Sequence, residues 1–352
     1  MSGEKIPVGI LGATGVVGQR LIALLEHHPW FDVTEVAASD RSAGAPYEDV
    51  VRWLLPSPIP ERVRRLRVKE CTPTLQCRLV FSALPAEVAA EVELEFARAG
   101  YIVCSNASAH RLDPDVPLVI PEVNPEHLSA LAHQRRRRGW ERGCLVTNPN
   151  CSTIHLTLVL KPLMERFGLT RVMVTTLQAL SGAGYPGVTS LDIVDNVIPF
   201  IKNEEEKLET ETRKLLGRWE GETFAFAPLC VSAQCTRVPT LDGHLECVSL
   251  AFERTPTREE IVEALASFTS LPQHLKLPTA PARPIVVREE ADRPQPRLDR
   301  EVERGMASVV GRIRPCPILD YKMVILGHNT IRGAAGAALL NAELLFAQGW
   351  IT

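Results

Sequence analysis

Short apolar runs alternate with longer amphipathic segments through the first 150 residues. The apolar runs are residues 7–11, 33–39, 79–84, 101–105 and 144–147, and segments with apolar positions at helical spacing follow residues 15 and 85. Short apolar runs of this kind are typical of strands buried on both faces. Because strands and helices alternate, the pattern predicts a parallel sheet with helices packed on it.

The pattern changes after residue 150. A helix is predicted over 153–167, interrupted at Pro162, and longer strand-like segments follow at 171–180, 224–237, 245–252 and 323–326. Long strands without a helix between each pair indicate a mostly antiparallel sheet. An alanine-rich amphipathic helix over 332–346 is predicted to return to the first domain. The expected division is therefore 1–150 with 330–352 as one domain and 151–329 as the other.

Composition narrows the class of protein. At 352 residues and 45% hydrophobic content the chain is long enough for two cores. A net charge of -3 and a pI near 6.3 disfavour binding to nucleic acid or a membrane surface, so small-molecule partners are expected. No apolar run reaches 18 residues and no leader peptide is evident. Nine cysteines without the paired spacing of a zinc site predict a reducing, cytoplasmic compartment and no metal.

A glycine-rich loop joins the first predicted strand to the first predicted helix. Gly12 suits a tight turn, Gly15 allows a pyrophosphate to approach the backbone, and Gly18 allows the helix to pack closely on the strand. This placement predicts a Rossmann-type dinucleotide-binding domain. The fold class expected is thus α/β, with a Rossmann-type parallel sheet domain followed by an α+β domain built on a mostly antiparallel sheet.

The end of the second predicted strand bears on the choice of dinucleotide. It reads Ser39-Asp40-Arg41-Ser42, where a guanidinium and two hydroxyls can hold a 2′-phosphate. The carboxylate of Asp40 would repel that phosphate unless it turned away. The sequence favours NADP(H), with NAD as the alternative.

Cys151 lies where the apolar strand at 144–147 meets the helix that follows. The turn Asn148-Pro149-Asn150 precedes it and hydroxyl residues follow it. Amides at a helix N-terminus favour a thiolate, so we expect a lowered pKa and a nucleophilic role. His244 is the candidate base. The alternative interpretation is a buried structural cysteine, which describes most cysteines.

Several motifs together resemble those of the aspartate-semialdehyde dehydrogenase family, over nearly the whole chain. They are the loop at 12–18, Asn-Pro-Asn-Cys-Ser-Thr at 148–153, Leu-Gln-Ala-Leu-Ser-Gly-Ala-Gly at 177–184, Glu-Glu-Glu-Lys at 204–207 with Glu-Thr-Glu-Thr at 209–212, and Arg237 seven residues before His244. The stretches at 195–200 and 327–333 resemble the archaeal and fungal branch of the family. Malonyl-CoA reductases resemble that branch too.

The resemblance implies a role for individual residues. Cys151 would be the nucleophile and His244 the acid/base. The α-carboxylate of the substrate would bind Arg237 and its amino group would bind Glu204. The side-chain amide of Gln178 would also bind the substrate. Phosphate would bind Arg111 and Lys207, although Glu204 and Lys207 could equally be an ordinary helical ion pair. Residues implied to line the cofactor site are Gly12, Thr14, Gly15, Val16, Val17, Ser39, Arg41, Ser42, Ser82, Ser181, Gly182 and Asn329.

The implied reaction is the NADP-dependent reductive dephosphorylation of L-aspartyl 4-phosphate to L-aspartate 4-semialdehyde through a thioester on Cys151, a step in the biosynthesis of aspartate-family amino acids such as lysine, threonine and methionine. Expected partners are this substrate pair and inorganic phosphate, and the family implies a homodimer or a homotetramer. Two alternatives remain open: a malonyl-CoA reductase, and a catalytically silent NADP-binding protein.

Overall fold

The computed structural model describes residues 4–351. Its first domain holds a six-stranded sheet, all parallel, in the order β3-β2-β1-β4-β5-β6. This is the strand order of a Rossmann dinucleotide-binding sheet, so the predicted parallel domain is confirmed. The strands are β1 (Ile6–Leu11), β2 (Phe31–Ala38), β3 (Lys69–Glu70), β4 (Leu79–Ser82), β5 (Ile102–Ser105) and β6 (Cys144–Thr147).

Helices connect these strands as the alternating pattern predicts. Strands β4, β5 and β6 are buried at every position, which explains why their sequences are continuous apolar runs. The helices are α1 (Val16–Leu25), α2 (Tyr47–Val50), α3 (Glu61–Arg64), α4 (Ala86–Arg98) and α5 (Ala130–Arg138). The apolar pattern of the sequence predicts that the first helix ends at about residue 28. In the structure it ends at Leu25.

The second domain contains a mixed sheet in the order β10-β7-β11-β14-β13-β12. Three central pairs are antiparallel, as predicted, but the pairs at both edges, β10 with β7 and β12 with β13, are parallel. Its strands are β7 (Leu169–Gln178), β10 (Cys230–Arg237), β11 (His244–Phe252), β12 (Ile285–Val287), β13 (Ser308–Pro315) and β14 (Tyr321–Gly327). A separate hairpin pairs β8 (Arg218–Trp219) with β9 (Phe224–Ala225).

One face of the second sheet is covered by the long helix that starts at the candidate nucleophile. Its buried side chains join the inward residues of β7, β11 and β14 in one apolar core. Pro162 lies inside this helix without ending it. The second-domain helices are α6 (Cys151–Phe167), α7 (Ser190–Ile193), α8 (Glu204–Leu215), α9 (Arg258–Ala266), α10 (Leu271–His274) and α11 (Pro296–Asp299).

The chain then returns to the first domain. A π-helical segment, Ile331–Ala335, leads into α12 (Gly336–Ala347). Buried side chains of α12 share a core with strands β1, β2 and β4, as the predicted return of the C-terminal helix requires. Residues 1–3 and 352, which belong to the predicted first domain, lie outside the described residues.

Candidate active site

Cys151 lines a cavity of about 450 Å³, whereas His244 is fully buried and does not line it. It receives side chains from the start of α1, the loops after β5 and β6, helix α8, and the segment before α12, so both domains contribute. The residues expected from the sequence that line it are Val16, Val17, Arg111, Cys151, Ser181, Gly182, Glu204, Lys207, Arg237 and Asn329.

Cys151 is the first residue of α6, so the predicted strand–helix junction is observed. Asn150 caps this helix, because its Oδ1 accepts hydrogen bonds from the backbone amides of Ser152 at 3.0 Å and Thr153 at 3.3 Å. The cap holds the turn that presents Cys151 to the cavity. The sequence pattern predicted a turn at Asn150 but not its role as the cap of this helix.

His244 stands beside the thiol, with its Nε2 at 3.1 Å from Cys151 Sγ. The other ring nitrogen, Nδ1, accepts a hydrogen bond from the Ala179 backbone amide at 3.0 Å. A ring nitrogen that accepts from an amide carries no proton, so the neutral imidazole carries its proton on Nε2 and donates it toward the sulfur. This geometry suits His244 as a proton donor. To act as a base toward the thiol, it would have to give up the Ala179 bond.

The ionisation of this pair differs from the sequence-based expectation. Burial lowers the pKa of His244 well below its ordinary value, and the nearby positive charge of Arg237 adds to the effect. Burial also raises the pKa of Cys151 to about 12, and the carboxylate of Glu204 raises it further, against the opposing effects of Arg237, Arg111 and the Ser152 amide. The predicted lowering of the thiol pKa is therefore wrong for this pocket, because desolvation outweighs the helix N-terminus.

Glu204 is the acidic centre of the cavity. Its Oε1 accepts hydrogen bonds from Asn150 Nδ2 at 2.7 Å and from Gln178 Nε2 at 3.0 Å, and Lys207 Nζ lies 3.7 Å from its Oε2. Gln178 is 1% exposed and does not line the cavity. Gln178 therefore orients Glu204. The helical ion pair considered as an alternative also exists.

Two arginines bring positive charge to the same cavity. Arg237, at the end of β10, donates from Nη1 to the Ala179 carbonyl at 2.8 Å. Arg111, in the loop after β5, donates from Nη1 to Glu211 at 2.9 Å and from Nη2 to the Asn106 carbonyl at 2.8 Å. Both side chains are buried apart from the part that faces the cavity. The site thus carries fixed cations next to one fixed carboxylate.

The glycine loop has the geometry that dinucleotide binding needs. Gly12 has φ 77°, and a Cβ there would stand 2.6 Å from the Ala83 carbonyl oxygen. A Cβ on Gly18 would stand 2.8 Å from Ala13 Cα, so α1 packs on the loop more closely than any side chain would permit. Gly15 starts α1 without a side-chain cap, which leaves the helix N-terminus suited to an anion. These residues fit a pyrophosphate.

Other expected cofactor residues lie elsewhere on the first domain. Ser39, Arg41 and Ser42 form an exposed turn at the end of β2, where the Asp40 carboxylate accepts from the Arg41 amide at 2.9 Å. Ser82 ends β4 beside Leu11 and is fully buried. Neither group lines the cavity around Cys151.

A network of loops closes the cavity around the catalytic pair. Asn329 donates to Ser181 Oγ at 2.8 Å and accepts from the Gly243 amide at 2.9 Å, so it ties the loop before His244 to the loop after β7. A Cβ on Gly333 would lie 2.8 Å from Cys151 Cβ. Glycine therefore lets the C-terminal segment touch the nucleophile. Cavity-lining residues not singled out from the sequence include Asn106, Ser108, Asn148, Thr330 and Gly333.

Residues 4–351 contain neither a cluster suited to a metal ion nor a helix suited to span a membrane. No cluster of three or more His, Cys, Asp or Glu side chains is arranged to hold a metal ion. No helix in that range has the length and apolar character needed to cross a membrane.

Comparison with known proteins identifies the protein family. Residues 7–131 match the family model described as semialdehyde dehydrogenase, NAD binding domain, and residues 160–332 match that of the dimerisation domain. An aspartate-semialdehyde dehydrogenase of Archaeoglobus fulgidus is 54% identical over 98% of this chain and 99% of its own length. The chain belongs to the aspartate-semialdehyde dehydrogenase family. A relative with the same name from the fungus Cryptococcus neoformans is 50% identical over 99% of this chain and 98% of its own.

Solved structures of aspartate-semialdehyde dehydrogenases share the fold. The Candida albicans enzyme, crystallised with NADP, superposes with a TM-score of 0.91 at 44% identity and covers 99% of this chain and 100% of its own. A Vibrio cholerae enzyme complexed with ASA gives a TM-score of 0.77 at 28% identity, over 99% of this chain and 100% of its own. The expected resemblance to archaeal and fungal members is confirmed.

Proposed function

We propose that this protein catalyses the NADP-dependent reductive dephosphorylation of L-aspartyl 4-phosphate to L-aspartate 4-semialdehyde, a step toward the aspartate family of amino acids. The observation that carries the proposal is the Cys151–His244 contact of 3.1 Å inside a cavity that also holds Glu204, Arg237, Arg111 and Lys207. Membership of the family supports the same reaction.

The charges of the cavity match the charges of the substrate. Glu204 would bind the ammonium group and Arg237 the α-carboxylate, since a planar fork of donors suits two oxygens. Gln178 would assist by holding Glu204 in place. Arg111 and Lys207 would bind the phosphate. Such a substrate would pair with four of the five charged side chains that line the cavity, all except Lys202.

The residues of this chain would carry the reaction as follows. The sulfur of Cys151 attacks the acyl carbon, the bond between that carbon and the phosphate oxygen breaks, and the departing phosphate takes up the thiol proton and leaves as inorganic phosphate toward Arg111 and Lys207. Pairing of Glu204 with the substrate ammonium removes a charge that raises the thiol pKa. His244 donates a hydrogen bond from Nε2 to the thiolate, and then to the oxyanion that follows. The Cys151 backbone amide is a second proposed oxyanion donor.

The cofactor would lie along the first domain. Gly12, Thr14, Gly15, Val16 and Val17 would surround the pyrophosphate at the start of α1, and Ser82 would lie at the adjoining strand end. Ser39, Arg41 and Ser42 would bind the 2′-phosphate of NADP(H). Ser181, Gly182 and Asn329 would border the nicotinamide. When bound, the nicotinamide supplies the hydride that reduces the thioester.

Glu204 separates this reaction from that of a malonyl-CoA reductase. Malonyl-CoA has no amino group, so the carboxylate of Glu204, which is 6% exposed, would have no substrate cation to pair with. The test is to follow NADPH formation from semialdehyde, phosphate and NADP, and NADPH consumption with malonyl-CoA. We expect turnover only in the first assay. Faster reduction of malonyl-CoA would overturn the proposed substrate.

The nucleophile is tested directly by Cys151→Ala. We expect this variant to lose turnover but retain NADPH binding and its melting temperature, because the only hydrogen bond of the thiol among the described residues is the one with His244. Iodoacetamide should label Cys151 in the wild type only at high pH, since burial raises the pKa of the thiol to about 12. Turnover by the alanine variant, or by wild-type protein labelled at Cys151, would contradict the assignment.

The domain boundaries and the oligomeric state are also proposals. We propose 1–150 with 330–352 as the NADP-binding domain, supported by the core that α12 shares with the first sheet, and 151–329 as the catalytic and dimerisation domain. The outer face of the second sheet exposes Met173, Cys230 and Cys247, and is proposed to pair two subunits. A homodimer is expected by light scattering, or a homotetramer built from such dimers.

The cytoplasm is the proposed compartment. All nine cysteines are free thiols in the described chain, which is the usual state of cysteines in a reducing environment.

A further inference from the structure

Helix α8 presents a single row of charged side chains toward the candidate site. Glu204, Lys207, Glu211 and Lys214 recur at intervals of three or four residues, so they share one face of the helix. Glu204 and Lys207 line the cavity. Glu211 lies one turn farther along the helix and is 2% exposed, and Lys214 lies two turns farther along and is 1% exposed. Neither residue lines the cavity or is among the proposed substrate contacts.

Glu211 bridges the two parts of the site that must meet in the reaction. Its Oε1 accepts a hydrogen bond from Arg111 Nη1 at 2.9 Å, and its Oε2 accepts one from the Asn150 backbone amide at 2.6 Å. Arg111 comes from the first domain and is the proposed phosphate ligand. Asn150 immediately precedes Cys151. One carboxylate therefore sets the distance between the phosphate-binding guanidinium and the nucleophile.

Lys214 holds the other end of the loop that carries Arg111. Its Nζ donates to three backbone carbonyls, those of Arg111 at 2.7 Å, Asp113 at 3.0 Å and Val116 at 2.9 Å. An ammonium group has three N–H donors, so this clasp uses all of them. The ammonium also lies 4.4 Å from the centre of the Phe224 ring. The loop of residues 111–116 is thereby fixed to α8 through its backbone.

We propose that Glu211 and Lys214 are positioning residues that hold Arg111 in the geometry required for phosphate, and so couple phosphate binding to the placement of Cys151. This inference rests on the proposed function for the identity of the phosphate. The Arg111 guanidinium makes one hydrogen bond to its own loop, at the Asn106 carbonyl, and another to the Glu211 carboxylate 100 residues away in the chain. Helix α8 would thus bind the ammonium group through Glu204 and the phosphate through Lys207, and would also position the second phosphate ligand, Arg111.

The test compares Glu211→Gln with Glu209→Gln. Glu209 is on the same helix and its carboxylate also accepts from a backbone amide, that of Ala233 at 2.9 Å, but it does not line the cavity. A glutamine at 211 can accept from Arg111 or from the Asn150 amide, but its NH₂ group opposes the other donor. We expect the Michaelis constant for phosphate to rise roughly tenfold or more, as for one lost hydrogen bond to a charged group.

The Michaelis constant for the semialdehyde should change by less than about twofold, because Glu204 and Arg237 are untouched. Glu209→Gln should change neither constant. A purely structural role for Glu211 would instead affect both substrates alike. Equal changes in both constants, or no change in either, would overturn the inference. If Glu211→Gln does not fold, the same two Michaelis constants are measured for Lys214→Met. We again expect the constant for phosphate to rise and the constant for the semialdehyde to change little.

A second measurement keeps this inference separate from the proposed function. Inorganic phosphate should protect Cys151 of the wild type against iodoacetamide without any turnover, and Glu211→Gln should need roughly tenfold more phosphate for the same protection. Wild-type protein that is protected but inactive on semialdehyde would refute the proposed function alone. Equal protection in wild type and variant would refute the role of Glu211 alone.

Discussion

Removal of the arginine of a fully buried ion pair should destabilise the whole molecule. Arg332 Nη2 lies 2.6 Å from Glu122 Oε2, and both side chains are 0% exposed. Arg332 belongs to the π-helical segment before α12, whereas Glu122 lies in the first domain. Among described residues, Arg332 Nε and Nη1 and Glu122 Oε1 have no hydrogen-bond partner. The variant to make is Arg332→Met, which keeps much of the side-chain volume.

The expected loss is large because the remaining carboxylate cannot reach water. Methionine leaves Glu122 buried with neither oxygen paired, and breaking a buried ion pair in this way costs about 3–5 kcal/mol. The entropy of unfolding of a 352-residue chain is about 0.7 kcal/mol/K, from roughly 2.1 cal/mol/K per residue. The melting temperature should therefore fall by about 4–7 °C.

Differential scanning calorimetry measures this shift, and Arg218→Met is the matched control. Arg218 Nη2 lies 2.8 Å from Glu220, a similar distance, but the two side chains are 80% and 44% exposed. The control should cost less than about 1 kcal/mol because exposed pairs contribute little. Adding Glu122→Leu to Arg332→Met should restore part of the loss, since no charge then stays buried. An Arg332→Met protein that melts within about one degree of the control would refute the reasoning.

Three further outcomes are expected. Gly182→Ala should lower kcat about a hundredfold in steady-state assays with little change in melting temperature, because the new Cβ would lie 2.8 Å from Arg237 Nη1 and 3.0 Å from His244 Cε1; unchanged kcat would contradict this contact. Burial lowers the pKa of Lys214 from 10.5 to about 8, so between these pH values the unfolded chain binds a proton that the folded chain does not. Wild-type stability relative to Lys214→Met should therefore rise from pH 8 to 10.5, and a fall in the difference between their melting temperatures would contradict the assignment. Arg41→Ala should raise the NADPH dissociation constant about ten- to a hundredfold in fluorescence titrations and leave NADH unchanged; equal loss for both cofactors would exclude a 2′-phosphate contact.

Local sequence determined the parts of the molecule that depend on neighbouring residues. Gly12 and Gly18 predicted the strand–loop–helix turn because a Cβ at either position meets backbone atoms of adjacent segments. The sequence placed Cys151 at the start of a helix because an apolar run, a proline turn and hydroxyl residues follow one another in the chain. Continuous apolar runs predicted the fully buried strands β4 to β6. Spacing along the chain was sufficient for each of these features.

Strand pairing at the edges of the second sheet depended on more than local pattern. β7 is antiparallel to β11 but parallel to β10, and nothing in the alternation of polar and apolar residues distinguishes the two directions. Direction is decided by the connections and by which strand edges remain free when the core forms. The sequence therefore predicted β7, β10, β11 and part of β14, but neither β12 and β13 nor the parallel pairs at the edges.

The chemistry of the site was decided by tertiary structure. The proton on His244 is assigned by the Ala179 amide, 65 residues away in the chain, and the charge state of Cys151 by burial and by Glu204 on another helix. Glu211 acquires its role only because folding brings Arg111 and Asn150 to its two oxygens. The sequence identifies which side chains can react, since this depends on residue type and local backbone. Their pKa values and hydrogen-bond partners follow from desolvation and from contacts between distant segments, which exist only in the folded chain.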